Sequence, residues 1–242
     1  MRQIICFLLL FMFTGTSNVN AQSKYIGGIF PTIDHTGKIS KTFDYGLYYF
    51  GAFPFMNLKK SDSKNDVNLL LLYLEQSLTL NLNDKLQLSG SYVYQRENVF
   101  ENNFINENRI HIQATYKHPI KNIILKNRIR FDNRFIKNRI TGETPYTHRV
   151  RYLIGLDFPY IGKHNKYYIT LYEELFINTF NNASIRYAEN WAYAGVGLIL
   201  NNQNKIEAGP LYITWNVGDN DWYHQYYAQL TWISKFNFNN TK

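Results

Sequence analysis

The chain has 242 residues, with 26 Lys plus Arg against 18 Asp plus Glu, giving a net charge of +8; 18% of residues are charged and 17% aromatic. An apolar content of 45% can bury a core and excludes a disordered chain, and the single cysteine, Cys6, excludes a disulfide scaffold. Beyond Phe13 no apolar run approaches the length of about 18 residues that a spanning helix needs; the longest is Leu69–Leu74.

Residues 1–21 read as a secretory signal: Arg2 is the basic start, Ile4 to Phe13 the apolar block, and Val19 and Ala21 the small residues before a cleavage site at Gln22. Cys6 lies inside the block, which disfavours a lipid anchor. Residues 22–41 are expected to be a periplasmic lead-in or plug, because Gly27, Gly28 and Pro31 weaken a continuous strand. If 23–33 were instead an eleventh strand, an even-stranded barrel would demand a twelfth.

From residue 42 onward the signal is a period of two. Leu70, Leu72, Leu74, Leu78, Leu80 and Leu82 alternate with Glu75, Ser77, Thr79 and Asn81, and Leu86, Leu88, Tyr92 and Tyr94 follow the same rule. Ile110, Ile112, Ala114 and Tyr116 alternate with Arg109, His111, Gln113, Thr115 and Lys117. After a short turn, Ile129, Phe131 and Phe135 alternate with Arg128, Arg130, Asp132 and Arg134. A strand separates such classes onto opposite faces, which a helix cannot do. The pattern predicts ten strands: 42–55, 67–82, 85–96, 106–118, 122–135, 146–158, 166–179, 189–200, 204–216 and 222–238. The last is the plainest. Trp222, Tyr226, Ala228, Leu230, Trp232, Phe236 and Phe238 oppose Tyr223, Gln225, Gln229, Thr231, Lys235 and Asn237, over a span well beyond the five or six residues typical of a soluble strand.

The fold expectation is therefore all-β, an antiparallel transmembrane β-barrel of about ten strands with twelve as the alternative, spanning 42–238 and followed by a short tail at 239–242. Connections alternate between short turns and longer polar loops such as KKSDSKND (59–66), so both chain ends are expected on the short-turn, periplasmic side. The competing architecture is a secreted soluble barrel or sandwich, in which the apolar face would point inward.

With the apolar face outward, the lumen collects Arg109, Arg128, Arg130, Asp132, Arg134, Arg149 and Arg151 with Glu107, Glu173 and Glu174; of the last two, adjacent in a strand, only one can face inward. Such charges read first as an ionic ladder that fills the lumen, and second as an anion-selecting constriction.

Four stretches, NRIRFDNRF (127–135), RVRYLIGLDFP (149–159), YYITLYEELFIN (167–178) and NWAYAGVGLILNNQNKIEAGPLY (190–212), resemble a domain-of-unknown-function family of bacterial secreted proteins. The resemblance covers roughly 67–238 and implies a small outer-membrane β-barrel, with no activity attached. That family often has an arginine where this chain has Trp191.

No catalytic constellation is legible. None of His35, His111, His118, His148, His164 or His224 is followed two residues later by serine, the arrangement of lipid-cutting barrel enzymes. Neither a metal site nor a cofactor is expected; Asp219-Asn220-Asp221 reads as a turn former. The basic residues lie on strands and in loops, which argues against nucleic acid as a partner. Expected partners are outer-membrane lipid, met by Lys59, Lys60, Lys64, Lys137 and Arg139, and the barrel-assembly machinery during insertion. The functional expectation is a narrow porin-like channel passing a small solute, with a filled structural or interaction barrel as the alternative and a lipid-modifying enzyme as the third.

Overall fold

A computed structural model describes residues 24–57, 69–138, 141–162, 165–179, 185–218 and 221–237. The signal segment 1–21, the loop residues Lys59, Lys60, Lys64 and Arg139, Asp219 and Asn220, and the tail 239–242 lie outside the described residues.

All regular structure among the described residues is β. The strands are β1 (Lys24–Lys38), β2 (Phe43–Asn57), β3 (Leu71–Asn81), β4 (Leu86–Glu97), β5 (Ile105–Ile120), β6 (Ile123–Asn138), β7 (Tyr146–Ile161), β8 (Tyr167–Thr179), β9 (Ile185–Ile199), β10 (Asn204–Gly218) and β11 (Asp221–Asn237). Each pairs with its sequence neighbours, and β1 closes on β11 to complete a barrel. The ten strands read from the alternation are β2–β11 within a few residues.

The segment 22–41, expected as a lead-in or plug, is described from residue 24, and Lys24–Lys38 is instead the closing strand. With eleven strands, consecutive antiparallel pairing forces the first and last to run the same way, and β1 pairs β11 in parallel from Lys24 opposite Tyr223 to Lys38 opposite Asn237. The strands' outer ends therefore lie at opposite rims: β1 starts beside the start of β11, and β11 ends beside the end of β1. The expectation that both ends share a rim fails for the same reason. Without β1, the edges of β2 and β11 would present rows of unpaired backbone groups, and this closure outweighs the cost of Gly and Pro within a strand.

The local chemistry of β1 explains how it tolerates them. A bulge between Gly27 and Gly28 shifts the register to β2, and Gly28 lies so close to β2 that a Cβ there would stand 2.3 Å from the Phe53 carbonyl oxygen. The pairing with β2 lapses at Phe30 and Pro31, where proline has no N–H to give, and resumes at Thr32 opposite Phe50. The parallel register to β11 runs through without a shift.

Three short turns use one device. Ser40 Oγ accepts from the amides of Thr42 and Phe43 (3.2 and 3.0 Å), and Asn83 Oδ1 accepts from those of Lys85 and Leu86 (both 2.9 Å). Asn201 Oδ1 likewise accepts from those of Gln203 and Asn204 (2.9 and 2.8 Å). A side-chain oxygen that satisfies two turn amides holds the reversal tight, and all three turns lie on the same rim.

The faces have inverted polarity. Ile112, Val196 and Leu230 are 63%, 58% and 56% exposed on the outer wall, whereas Arg109 and Asp132 are 2% and 1% exposed inside. Half of the interior is apolar: Phe30, Phe50, Ala52, Tyr73, Val93, Tyr193, Leu211, Ile213 and Tyr227 form one buried cluster contributed by β1–β4 and β9–β11. The other half is ionic.

Two glycines should respond oppositely to alanine. A Cβ at Gly209 would lie 2.0 Å from the Ala194 carbonyl oxygen in β9, whereas one at Gly90 meets nothing within 4 Å. Gly209→Ala is expected to cost on the order of 2 kcal/mol in chemical unfolding, and Gly90→Ala no more than about 0.5 kcal/mol.

Candidate functional site: a closed ionic layer in the lumen

The ionic half of the interior is built on β5–β8, whose inward positions alternate with outward Ile, Phe and Tyr. Cross-strand register makes it electrostatically awkward. Arg130 stands directly opposite Arg151, and Arg109 directly opposite Arg134. Like charges so placed repel unless a carboxylate comes between them.

One carboxylate bridges Arg109 and Arg134, whereas Arg151 and Arg130 are each compensated by a carboxylate of their own. Glu107 Oε1 accepts from Arg109 Nε and from Arg134 Nε, both at 2.7 Å, while its Oε2 accepts from Arg134 Nη2 at 2.7 Å. Glu174 takes Arg151 in a two-point contact, Nε to Oε1 and Nη2 to Oε2 at 2.9 Å each, and takes Arg128 Nη2 on Oε1 at 2.8 Å. Two parallel N–H···O bonds to a charged acceptor fix the guanidinium plane as well as its position. Arg130 donates to Gln113 Oε1 at 2.9 Å and reaches Glu75 Oε2 at 3.4 Å, an oxygen that also accepts from the Tyr73 hydroxyl at 2.6 Å. Arg149 pairs with Glu189 at 3.0 Å and donates to Asn178 Oδ1 at 2.9 Å. Asp132 sits at the centre, 3.7 Å from Arg109 and 4.0 Å from Arg151.

Several contacts reach past the neighbouring strand. Arg130 on β6 meets Glu75 on β3, Arg128 on β6 meets Glu174 on β8, and Arg149 on β7 meets Glu189 on β9. Contacts of this kind need strands beyond the neighbour within side-chain reach, and the middle layer is tightly buried: His111 and Val93 are wholly buried and Phe30 and Phe176 are 1% exposed. The Arg151 guanidinium also lies 4.2 Å from the centre of the Phe176 ring. Trp191 also packs against that ring, 5.5 Å from Phe176, 5.9 Å from Phe30 and 6.0 Å from Phe50, with its Nε1 donating to Glu189 Oε2 at 3.1 Å. Trp191 therefore joins the two halves of the interior, at the position where the resembling family often has an arginine.

Of the residues singled out from the sequence, Arg109, Arg130, Asp132, Arg149, Arg151 and Glu174 are buried together, and Arg128 joins them with its side chain 22% exposed. Glu173 does not. Alternation turns it to the outer face, where it accepts from Asn190 Nδ2 at 2.8 Å. The sequence reading missed Glu75, Glu189 and His111 as members. Their inward parity was readable, but nothing local says that β3 and β9 come within side-chain reach of β6 and β7. Their inclusion changes the electrostatics: the arginines 109, 128, 130, 134, 149 and 151 now meet Glu75, Glu107, Asp132, Glu174 and Glu189, a layer close to neutral. No group of three or more metal-ligating side chains occurs among the described residues.

Residues 55–225 match a family described as a protein of unknown function (DUF2490). The chain belongs to that family. The match takes in the whole ionic layer and leaves out β1, most of β2 and the last part of β11. No curated protein matches the chain. Among solved structures, an anion-selective porin from Comamonas acidovorans aligns with 81% of this chain at 14% identity and a TM-score of 0.37. The chain spans about half of that porin, 53% of its length.

Removing the Glu174 charge takes from the buried Arg151 its two-point partner and from the part-exposed Arg128 its ion pair. Glu174→Gln is expected to lower unfolding stability by about 3–5 kcal/mol. Glu173→Gln, one residue away on the outer face, should change it by no more than about 1 kcal/mol. Urea unfolding of the folded barrel compares the two.

Proposed function

We propose that this member of the family is an outer-membrane β-barrel of the bacterial envelope, closed by its own side chains, with a structural or interaction role carried by its wall and rims. The observation that carries this reading is the inverted polarity of the wall. Large apolar side chains point outward around the barrel, from Ile29 and Ile33 on β1 to Leu230 and Trp232 on β11, while the arginine-rich ionic layer is enclosed. Burying one such side chain in an apolar medium gains about 1.5–3 kcal/mol. Left in water, so continuous a greasy wall would drive association, and acyl chains are the medium that suits it.

Aromatic side chains near the strand ends add support. Phe43, Tyr116, Tyr167, Trp232 and Phe236 lie toward the short-turn rim, and Tyr92, Tyr146, Tyr187 and Tyr226 toward the other. Rings collect at these depths where lipid meets water. No helix among the described residues is long and apolar enough to cross a membrane, and for a barrel none is needed. Lipid, and the barrel-assembly machinery during insertion, are the partners this reading implies.

The filled-lumen form is favoured over a solute channel by the burial of the middle layer. A solute would have to pass Arg130 and Arg151, which are 4% and 7% exposed and held by Gln113, Glu75 and Glu174. In planar bilayers the folded protein is expected to give no steady open-channel current, and Arg130→Ala combined with Arg151→Ala should open a measurable leak. Steady current from the unaltered protein would overturn the closed lumen. Recovery of the mature chain as a soluble monomer without detergent would overturn the membrane location.

A further inference from the structure

The seam between β1 and β11 brings together two residues almost two hundred positions apart. His35 and Ser234 are direct partners in the parallel register. The Ser234 hydroxyl lies 2.7 Å from His35 Nδ1, and the other ring nitrogen, Nε2, lies 2.7 Å from the Tyr45 hydroxyl on β2. Tyr45 is set in place by what faces it. Its direct partner is Gly37, and a Cβ there would fall 2.1 Å from the Tyr45 ring, so only a residue without a side chain lets the ring lie flat on β1 with its hydroxyl at His35.

All three side chains are partly accessible on the outer wall, beside Ile33, Phe43, Trp232 and Phe236, toward the short-turn rim. On the other side of Ser234, its direct partner on β10 is Asn204. Asn204 Oδ1 accepts from Trp232 Nε1 at 3.1 Å, which turns its amide nitrogen away from that indole and toward Asn201, 3.2 Å away. Leu200, Asn201, Asn204, Ile206, Leu230 and Trp232 line an outward-facing groove of about 470 Å³ that begins at this point. The constellation thus consists of a hydroxyl, an imidazole oriented from behind, an amide on the neighbouring strand, and an open, mostly apolar groove beside that amide.

We propose that Ser234 and His35 are the nucleophile and general base of an esterase site on the barrel's outer wall, that Tyr45 positions the imidazole, and that the substrate is a carboxylic ester of an acyl chain lying in the adjoining groove. The imidazole works in the tautomer whose Nε2–H donates to Tyr45, leaving Nδ1 to accept the serine proton. The Ser234 Oγ–carbon bond forms as the hydroxyl proton passes to Nδ1; the ester carbon–oxygen bond breaks, and that proton goes to the departing alcohol. Water then repeats the sequence. Its proton goes to Nδ1, its oxygen bonds to the acyl carbon, and the free carboxylic acid leaves as Ser234 recovers its proton. The Asn204 amide, one N–H of which is donated to Asn201, supplies its remaining N–H for the oxyanion. None of Ser234, His35, Tyr45 and Asn204 forms a His-x-Ser pair in sequence, and the first three lie outside the family match at 55–225.

The choice of a lipid ester rests on the membrane location proposed above, whereas the nucleophile does not, and the test separates them. Folded protein in detergent is treated with a fluorophosphonate and digested. An adduct on the peptide bearing Ser234 is the expected result; no adduct, or an adduct on another serine, overturns the proposal without relying on any variant. Hydrolysis of a p-nitrophenyl ester of a medium-length acid should fall at least 100-fold in Ser234→Ala and His35→Ala. Tyr45→Phe, which keeps the ring on Gly37, should lower kcat about tenfold at unchanged KM. Equal rates in Ser234→Ala and the unaltered protein overturn the site. If Ser234 is labelled and short esters are cut while phosphatidylethanolamine vesicles release no fatty acid, the nucleophile stands and the lipid substrate is overturned.

Discussion

The structure depends on a repulsion that must be compensated. Strand register sets Arg130 against Arg151 and Arg109 against Arg134; Glu107 lies between the second pair, and Glu75 and Glu174 each compensate one arginine of the first. Removing guanidinium groups from water is expensive, and bidentate contacts from neighbouring and opposing strands offset that cost. Because these contacts cross the lumen, they also fix how far apart the walls can stand. The same interactions that stabilise the barrel thus fill it.

The aromatic half of the interior meets the ionic half at Phe176 and Trp191. The Arg151 guanidinium lies over the Phe176 ring, and the Trp191 indole touches that ring, Phe30 and Phe50 while donating to Glu189. Rings suit this boundary because a π face accepts a cation and an indole N–H accepts a polar partner. At these residues the charged and aromatic halves of the interior are in direct contact.

Closure by an odd number of strands has a chemical consequence. The parallel seam places residues from the two ends of the chain on one patch of the outer wall, and it is there that His35 meets Ser234. A hydroxyl–imidazole contact on an apolar wall can tie the seam together. Its exposure, the tyrosine behind it and the groove beside it give it the makings of a reaction site.

The sequence by itself determined that the chain is built of alternating strands with one greasy and one polar face, because side-chain direction in a strand repeats every two residues and needs no tertiary information. It placed β2 to β11 within a few residues and named most of the ionic layer. It misread Lys24–Lys38, since Gly27, Gly28 and Pro31 are poor strand formers taken singly, and only the unpaired edges of β2 and β11 supply the reason to extend them. It could not place the aromatic half either, because in Leu47–Phe53 both parities are apolar or aromatic and alternation says nothing. Which glutamate of the pair at 173 and 174 turns inward, which acids reach across from β3 and β9, and which serine stands beside His35 were decided by tertiary structure alone. Each is a contact between residues distant in sequence, fixed by strand order, register and the closing of the sheet on itself.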